Sequence, residues 1–166
     1  SDLPMSQFIQ QLYARFIRRE FTADTPEVEL TRDIRKALKR RHLGLFKQIE
    51  IDDEVMSIRF PLAYQSDRLR AIRPLSFGQK RPMAIVDYAA HWRKRLRYLL
   101  DREQIRPRDV LVATQGPTPD AEPAAHHAYH LAREELRDLP FDVVPGEIGG
   151  EVNEAIIDFA RNSIGQ

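Results

Sequence analysis

The sequence contains no cysteine, which excludes disulfide bonds, thiolate metal sites and cysteine nucleophiles. It has no run of about 18 apolar residues and no signal-peptide pattern at its N-terminus, so we expect neither a transmembrane helix nor a membrane partner. Neither sign of charge dominates, because 26 lysines and arginines stand against 25 aspartates and glutamates. Any electrostatic binding must therefore come from local patches rather than from a global field.

The composition is that of a folded protein. A chain of 166 residues with 42% hydrophobic and 31% charged residues can bury a continuous core. We predict a single domain over residues 1–166 and expect a cytoplasmic location, with which the missing cysteines are compatible. The start at Ser1 and Asp2 leaves open a longer parent protein, and the composition does not predict the oligomeric state.

Hydrophobic periodicity predicts the element order ααβββαβαβα. Helices are predicted over about 4–20, from Thr25 to 42, from Pro82 to the stop at 106–107, over 122–138 and over 151–163. Strands are predicted over about 45–51, 56–64, 68–77, 110–113 and 141–144.

The spacing of these elements predicts the sheet. The three strands between 45 and 77 follow one another through short turns, which indicates an antiparallel meander, and Pro74 places the third strand at an edge or at its end. The apolar run 110–113 is typical of a strand buried on both faces. The predicted fold class is α/β with α+β character: a mixed sheet with an antiparallel three-strand meander and helices packed on its faces.

Two basic clusters are the strongest local features. The first, on the second helix, comprises Arg32, Arg35, Lys36, Lys39, Arg40, Arg41 and His42. The second comprises Arg93, Lys94, Arg95, Arg97 and Arg102 on the long helix, with Arg68, Arg70 and Arg73 on the third strand and Lys80 and Arg81 after it. Arginine suits bidentate contacts with phosphate or carboxylate, and neutralised phosphates release counterions. The alternative interpretation is that both clusters are ordinary solvated surface.

No catalytic or metal-binding motif is complete. His126, His130 and Glu134 recur one helical turn apart, but no fourth ligand is visible, and a solvated helix face is the better interpretation, so no metal is predicted. No Gly-x-Ser-x-Gly sequence occurs, which argues against a serine hydrolase.

The succession of helix, three-strand meander, helix and strand over roughly 26–113 resembles the core of the restriction-endonuclease-like (PD-(D/E)XK) fold. Active members of that family place an acidic residue on the second strand and Glu/Asp-x-Lys on the third, where they bind Mg²⁺. The third strand here reads Arg68-Leu69-Arg70-Ala71-Ile72-Arg73 and offers no carboxylate. The resemblance therefore implies a nuclease-like fold without its catalytic motif. The hairpin sequence around 60–69 is also similar to hairpins of uncharacterised bacterial and mobile-element proteins.

Three hypotheses follow. The leading one is a non-catalytic binding module without a cofactor, in a bacterial mobile-element or defence context, which contacts DNA, RNA or an acidic protein through Lys36, Lys39, Arg40, Arg70, Arg73, Arg93 and Arg97. The runner-up is a divergent nuclease that uses Mg²⁺ bound by Glu29, Asp52, Asp53 and Glu54, with Glu27 as the alternative to Glu29 on the second helix. The third is a structural or assembly domain that covers a partner with the apolar face of 8–17. Convergence of the basic clusters on one face favours binding.

Overall fold

The computed structural model describes residues 25–165. In this part of the chain the helices are α1 (Thr25–Arg40), α2 (Pro82–Asp101), α3 (Pro123–Arg137) and α4 (Glu154–Ile164). The strands are β1 (Lys47–Asp52), β2 (Ser57–Gln65), β3 (Leu69–Ser76), β4 (Val110–Gln115), β5 (Asp142–Pro145), β6 (Glu147–Ile148) and β7 (Glu151–Val152). The helix predicted over 4–20, and with it the apolar face of 8–17, lies outside the described residues.

The main sheet has the order β1-β2-β3-β4-β5. The first three strands form an antiparallel meander, whereas β3, β4 and β5 are parallel and are joined by α2 and α3. One face of the sheet packs against α1 and α4, and the other packs against α2 and α3. The predicted α/β class, with a mixed sheet, a meander and helices on the faces, is confirmed. Among residues 25–165, no helix combines the length and the apolar character that crossing a membrane requires.

The long helix α2 forms as its sequence predicts. Proline occupies the start of the helix, where a missing N–H breaks no hydrogen bond of the helix. All five residues of the predicted apolar stripe are buried: Ile85, Ala89, Trp92, Leu96 and Leu99. Because this stripe covers only one side of the helix, the polar residues of α2 lie on two sides of it, to the left and right of the stripe.

The last predicted helix begins later than expected. In place of its first turn the chain forms a small hairpin, in which β6 and β7 pair across Gly149 and Gly150. Both glycines have positive φ values, 62° and 80°, as a two-residue type I′ turn requires. Helix α4 then begins after Asn153, whose side chain accepts a hydrogen bond from the backbone N–H of Ala155.

Pro74 does not mark an edge strand, because β3 lies in the middle of the sheet, but it does lie near the end of β3. Pairing of β2 with β3 stops at Leu62 and Ile72, so Pro74 lies in the part of β3 that pairs with β4 and not with β2. The N–H groups of Ala71 and Phe77 point toward β4, and alternation along the strand turns position 74 the other way. Proline is tolerated there because, among residues 25–165, no strand pairs with β3 on that side at this position.

Candidate anion-binding cleft

The divergence of β2 from β3 opens a cleft between α1 and α2, with a volume of about 730 Å³. Ligand sites in proteins commonly have this size. Five arginines line the cleft, against the two carboxylates of Glu27 and Glu50. We call it the arginine cleft, and its arginines are Arg32, Arg35, Arg59, Arg73 and Arg95.

Glu27, from the first turn of α1, lies at the base of the arginine cleft and is 1% exposed. One of its carboxylate oxygens accepts a hydrogen bond from the Ser76 N–H (2.9 Å). This N–H faces the side from which β2 has diverged, so the carboxylate replaces the missing strand. The Tyr88 hydroxyl donates to both carboxylate oxygens (2.7 and 2.9 Å), and its pKa is raised first by burial and then by the negative charge of Glu27. Tyr88 is therefore a permanent donor.

Arg73 neutralises this carboxylate. Its Nη2 donates to Glu27 (3.2 Å), and its Nη1 donates to the Arg59 carbonyl of the diverging strand β2 (3.0 Å). The guanidinium also lies over the Trp92 ring, 4.0 Å from the ring centroid, and the residue is 6% exposed. Ion pairing, hydrogen bonding and a cation–π contact thus fix Arg73 in one position across the fork of β2 and β3.

The remaining arginines of the cleft are less constrained. Arg35 donates to the Pro61 carbonyl (3.3 Å). Within residues 25–165, Arg32, Arg59 and Arg95 form no ion pair. Desolvation lowers the pKa of Arg95, because its guanidinium is partly withdrawn from water.

The second carboxylate of the cleft offsets only one of the remaining positive charges. Glu50 lies opposite Arg59 in the β1–β2 ladder, and its carboxylate accepts a hydrogen bond from the neutral Ser57 hydroxyl. With Glu27 already paired to Arg73, the cleft keeps an excess of positive charge. Because low-dielectric walls focus such a field, an anion is attracted into the cleft.

His91 adds an aromatic ring to the α2 side of the arginine cleft. The ring stacks on Tyr88, with a centroid separation of 6.4 Å and an interplanar angle of 11°. Burial, followed by the charges of Arg95 and Arg73, lowers the pKa of His91 to about 4. The ring is therefore uncharged at neutral pH, and it offers an aromatic surface rather than a further cation.

The structure brings one of the seven predicted contact residues, Arg73, into the cleft. Arg70 is buried on the opposite face of the sheet, where its guanidinium lies over the Phe159 ring (4.9 Å). Arg93 forms ion pairs with Glu135 (3.5 Å) and Asp138 beside α3. The remaining four also lie outside the arginine cleft: Arg97 donates to the Asp138 carbonyl, Lys36 and Arg40 line a groove beside α4, and Lys39 is exposed.

Each basic cluster is therefore divided among several surfaces. Arg32 and Arg35 of the first cluster converge with Arg73 and Arg95 of the second, while the other members face elsewhere. Sequence reasoning did not identify the roles of Glu27, Arg59, Tyr88 and His91. A signal was present on α2, because Tyr88, His91, Trp92 and Arg95 follow the spacing i, i+3, i+4, i+7 of one helix face.

The carboxylates predicted for a nuclease do not meet in the cleft. Asp53 accepts hydrogen bonds from the N–H groups of Val55 (2.8 Å) and Met56 (3.1 Å), which lower its pKa and fix the β1–β2 turn. Asp52, Glu54 and Glu29 are exposed outside the cleft lining. His130 contacts Glu134 (3.1 Å), but within residues 25–165 no group of three side chains could hold a metal ion. The residues of the arginine cleft do not fit Mg²⁺.

Comparisons of the chain with protein-family models, curated proteins and solved structures find no match in any of the three. The resemblance to the restriction-endonuclease-like fold thus stays an expectation. Function must be argued from the arginine cleft itself.

Proposed function

We propose that this protein is a non-catalytic binding module that holds the phosphate backbone of a nucleic acid in the arginine cleft. The observation that carries the proposal is the convergence of four arginines from α1, β2 and α2 on one concave surface, around the buried pair of Arg73 and Glu27. The four are Arg32, Arg35, Arg59 and Arg95. A guanidinium presents paired donors that match phosphate oxygens, and each phosphate contact releases counterions into the solvent.

The same arrangement disfavours metal-dependent cleavage. A two-metal reaction needs carboxylates that are free to bind the cation, whereas Glu27 is already occupied by Arg73, Ser76 and Tyr88. The surrounding guanidinium groups also repel a divalent cation. We therefore assign the cleft to binding, and no cofactor enters the proposal.

Nucleic acid is favoured over an acidic protein because an aromatic ring accompanies the arginines. The half-buried His91 ring lines the same cleft, and the interleaving of cations with aromatic rings is typical of nucleic-acid grooves. An acidic protein would use the cations but would gain little from the ring. Polyglutamate is therefore the comparison ligand that distinguishes these two partners.

The test is a titration of fluorescein-labelled DNA and RNA oligonucleotides, followed by anisotropy at about 50 and 200 mM NaCl. We expect binding that weakens steeply with salt. The double variant R32A/R95A should reduce affinity by more than tenfold and reduce the slope of log K against log salt by about 1.5, because two phosphate contacts are lost.

The matched control is R93A/R97A, which removes two arginines from the opposite side of α2. We expect it to leave affinity within about twofold of the unmodified protein, since Arg93 is already paired with Glu135 and Asp138. Absence of binding to every nucleic acid at low salt, or equal losses in the two double variants, would contradict the proposal.

A further inference from the structure

We infer that the ligand of the arginine cleft is a single strand of nucleic acid rather than a duplex, an inference that rests on the proposed function. The first observation is the shape of the site. Its arginines lie on α1 and α2, which pack on opposite faces of the sheet, and on strands β2 and β3 between them. Proteins usually read a duplex by inserting a projecting helix or ribbon into a groove of the DNA, whereas here the cations line a concavity.

The second observation concerns the basic surfaces beside the cleft, because a duplex would need further cations there to contact the phosphates of its second strand. On α1, Lys36 and Arg40 line a separate groove that also contains acidic residues from α1, β6, β7 and α4: Asp33, Glu147, Glu151 and Glu154. On α2, Arg93 is paired with two carboxylates of α3 and the loop after it. These flanking cations lie beside acidic residues, whereas the arginines of the cleft outnumber its two carboxylates.

The third observation is the aromatic lining. A single strand exposes the faces of its bases, which stack on aromatic side chains, whereas a duplex hides them between base pairs. The His91 ring belongs to the cleft lining, is half-buried and stacks on Tyr88. Since this ring is uncharged at neutral pH, its contribution to binding is stacking rather than phosphate neutralisation.

A competition experiment tests the inference, with a 12-nucleotide oligo-dT, a 12-nucleotide oligo-rU, a hairpin duplex with the same number of phosphates and polyglutamate as probes. We expect each single strand to bind at least about tenfold more tightly than the duplex or polyglutamate. The two single strands separate a DNA ligand from an RNA ligand, and either one supports the inference.

Variants of His91 identify the stacking contribution. H91A should weaken single-strand binding by about tenfold, while H91F, which keeps an aromatic ring, should stay within about threefold of the unmodified protein. The control H127A removes an exposed histidine of α3 and should change nothing. The result for H91F separates stacking from a general loss of structure, because an unfolded variant would lose binding in both cases.

The outcomes distinguish this inference from the function beneath it. Equal affinity for single strand and duplex, or equal binding by H91A and the unmodified protein, overturns the single-strand inference and leaves nucleic-acid binding intact. Binding of polyglutamate with no binding of any oligonucleotide overturns the proposed function as well.

Discussion

The two sides of α2 carry arginines in opposite surroundings. Arg95 lines the cleft, forms no ion pair with any residue in 25–165 and has a pKa lowered by desolvation. Arg93, two residues earlier, is paired with Glu135 and Asp138 against α3. In the sequence, each of these arginines contributes the same single positive charge to α2. The partners of a cation, rather than its presence, therefore decide whether it can bind a ligand.

The largest effect we expect comes from breaking the ion pair at the base of the cleft. E27A should lower the free energy of unfolding by about 3–5 kcal/mol, because it leaves the charge of Arg73 buried without its partner. E135A, which removes an exposed partner of Arg93 on the other side, should cost less than about 1 kcal/mol. Urea unfolding curves provide both values. Similar losses in the two variants would contradict the claim that the buried pair of Glu27 and Arg73 contributes more to stability than an exposed pair.

A smaller effect is expected from the hydroxyl that supports Glu27. Y88F removes a hydrogen bond to a buried carboxylate while keeping the ring, and should lower the free energy of unfolding by about 2 kcal/mol. The matched variant Y129F removes a hydroxyl that contacts Thr114 (3.0 Å), a neutral partner, and should cost about 1 kcal/mol. A cost for Y88F no larger than that for Y129F would contradict the role given to Glu27.

The smallest effect concerns pH. The folded protein holds the pKa of His91 at about 4, below its ordinary value of 6.5, so the unfolded chain takes up the proton first as pH falls. Stability should therefore decrease by about 1–2 kcal/mol between about pH 6.5 and 4, after allowance for partial exposure of the ring. H91Q should remove this part of the pH dependence, whereas H127Q should retain it. Parallel pH profiles for H91Q and the unmodified protein would contradict the assignment.

The sequence predicted the sheet and its helices because burial leaves a periodic pattern. The sequence also shows which arginines of a basic cluster cannot share one surface. Alternation along a strand places Arg70 and Arg73 on opposite faces, and helical spacing separates Arg93 from Arg95, so grouping them as one patch ignored these periods. Both separations follow from the sequence alone.

The base of the cleft was not predictable in this way. Glu27 meets Ser76 and Tyr88 across separations of 49 and 61 residues, and a local pattern carries no information about such contacts. The divergence of β2 from β3 was not predictable from a local sequence pattern either. Pro74 predicts an edge or a strand end, and the sequence does not distinguish these from a central strand that pairs with β2 along only part of its length.

The most direct test of the account is the affinity of one single-stranded oligonucleotide for two variants of the same helix, R95A and R93A, at about 100 mM NaCl. Both variants remove one positive charge from the protein, so a non-specific attraction would be reduced equally. The account predicts that R95A weakens binding by about tenfold and that R93A changes it by less than twofold. Equal losses in the two variants would contradict the assignment of binding to the arginine cleft.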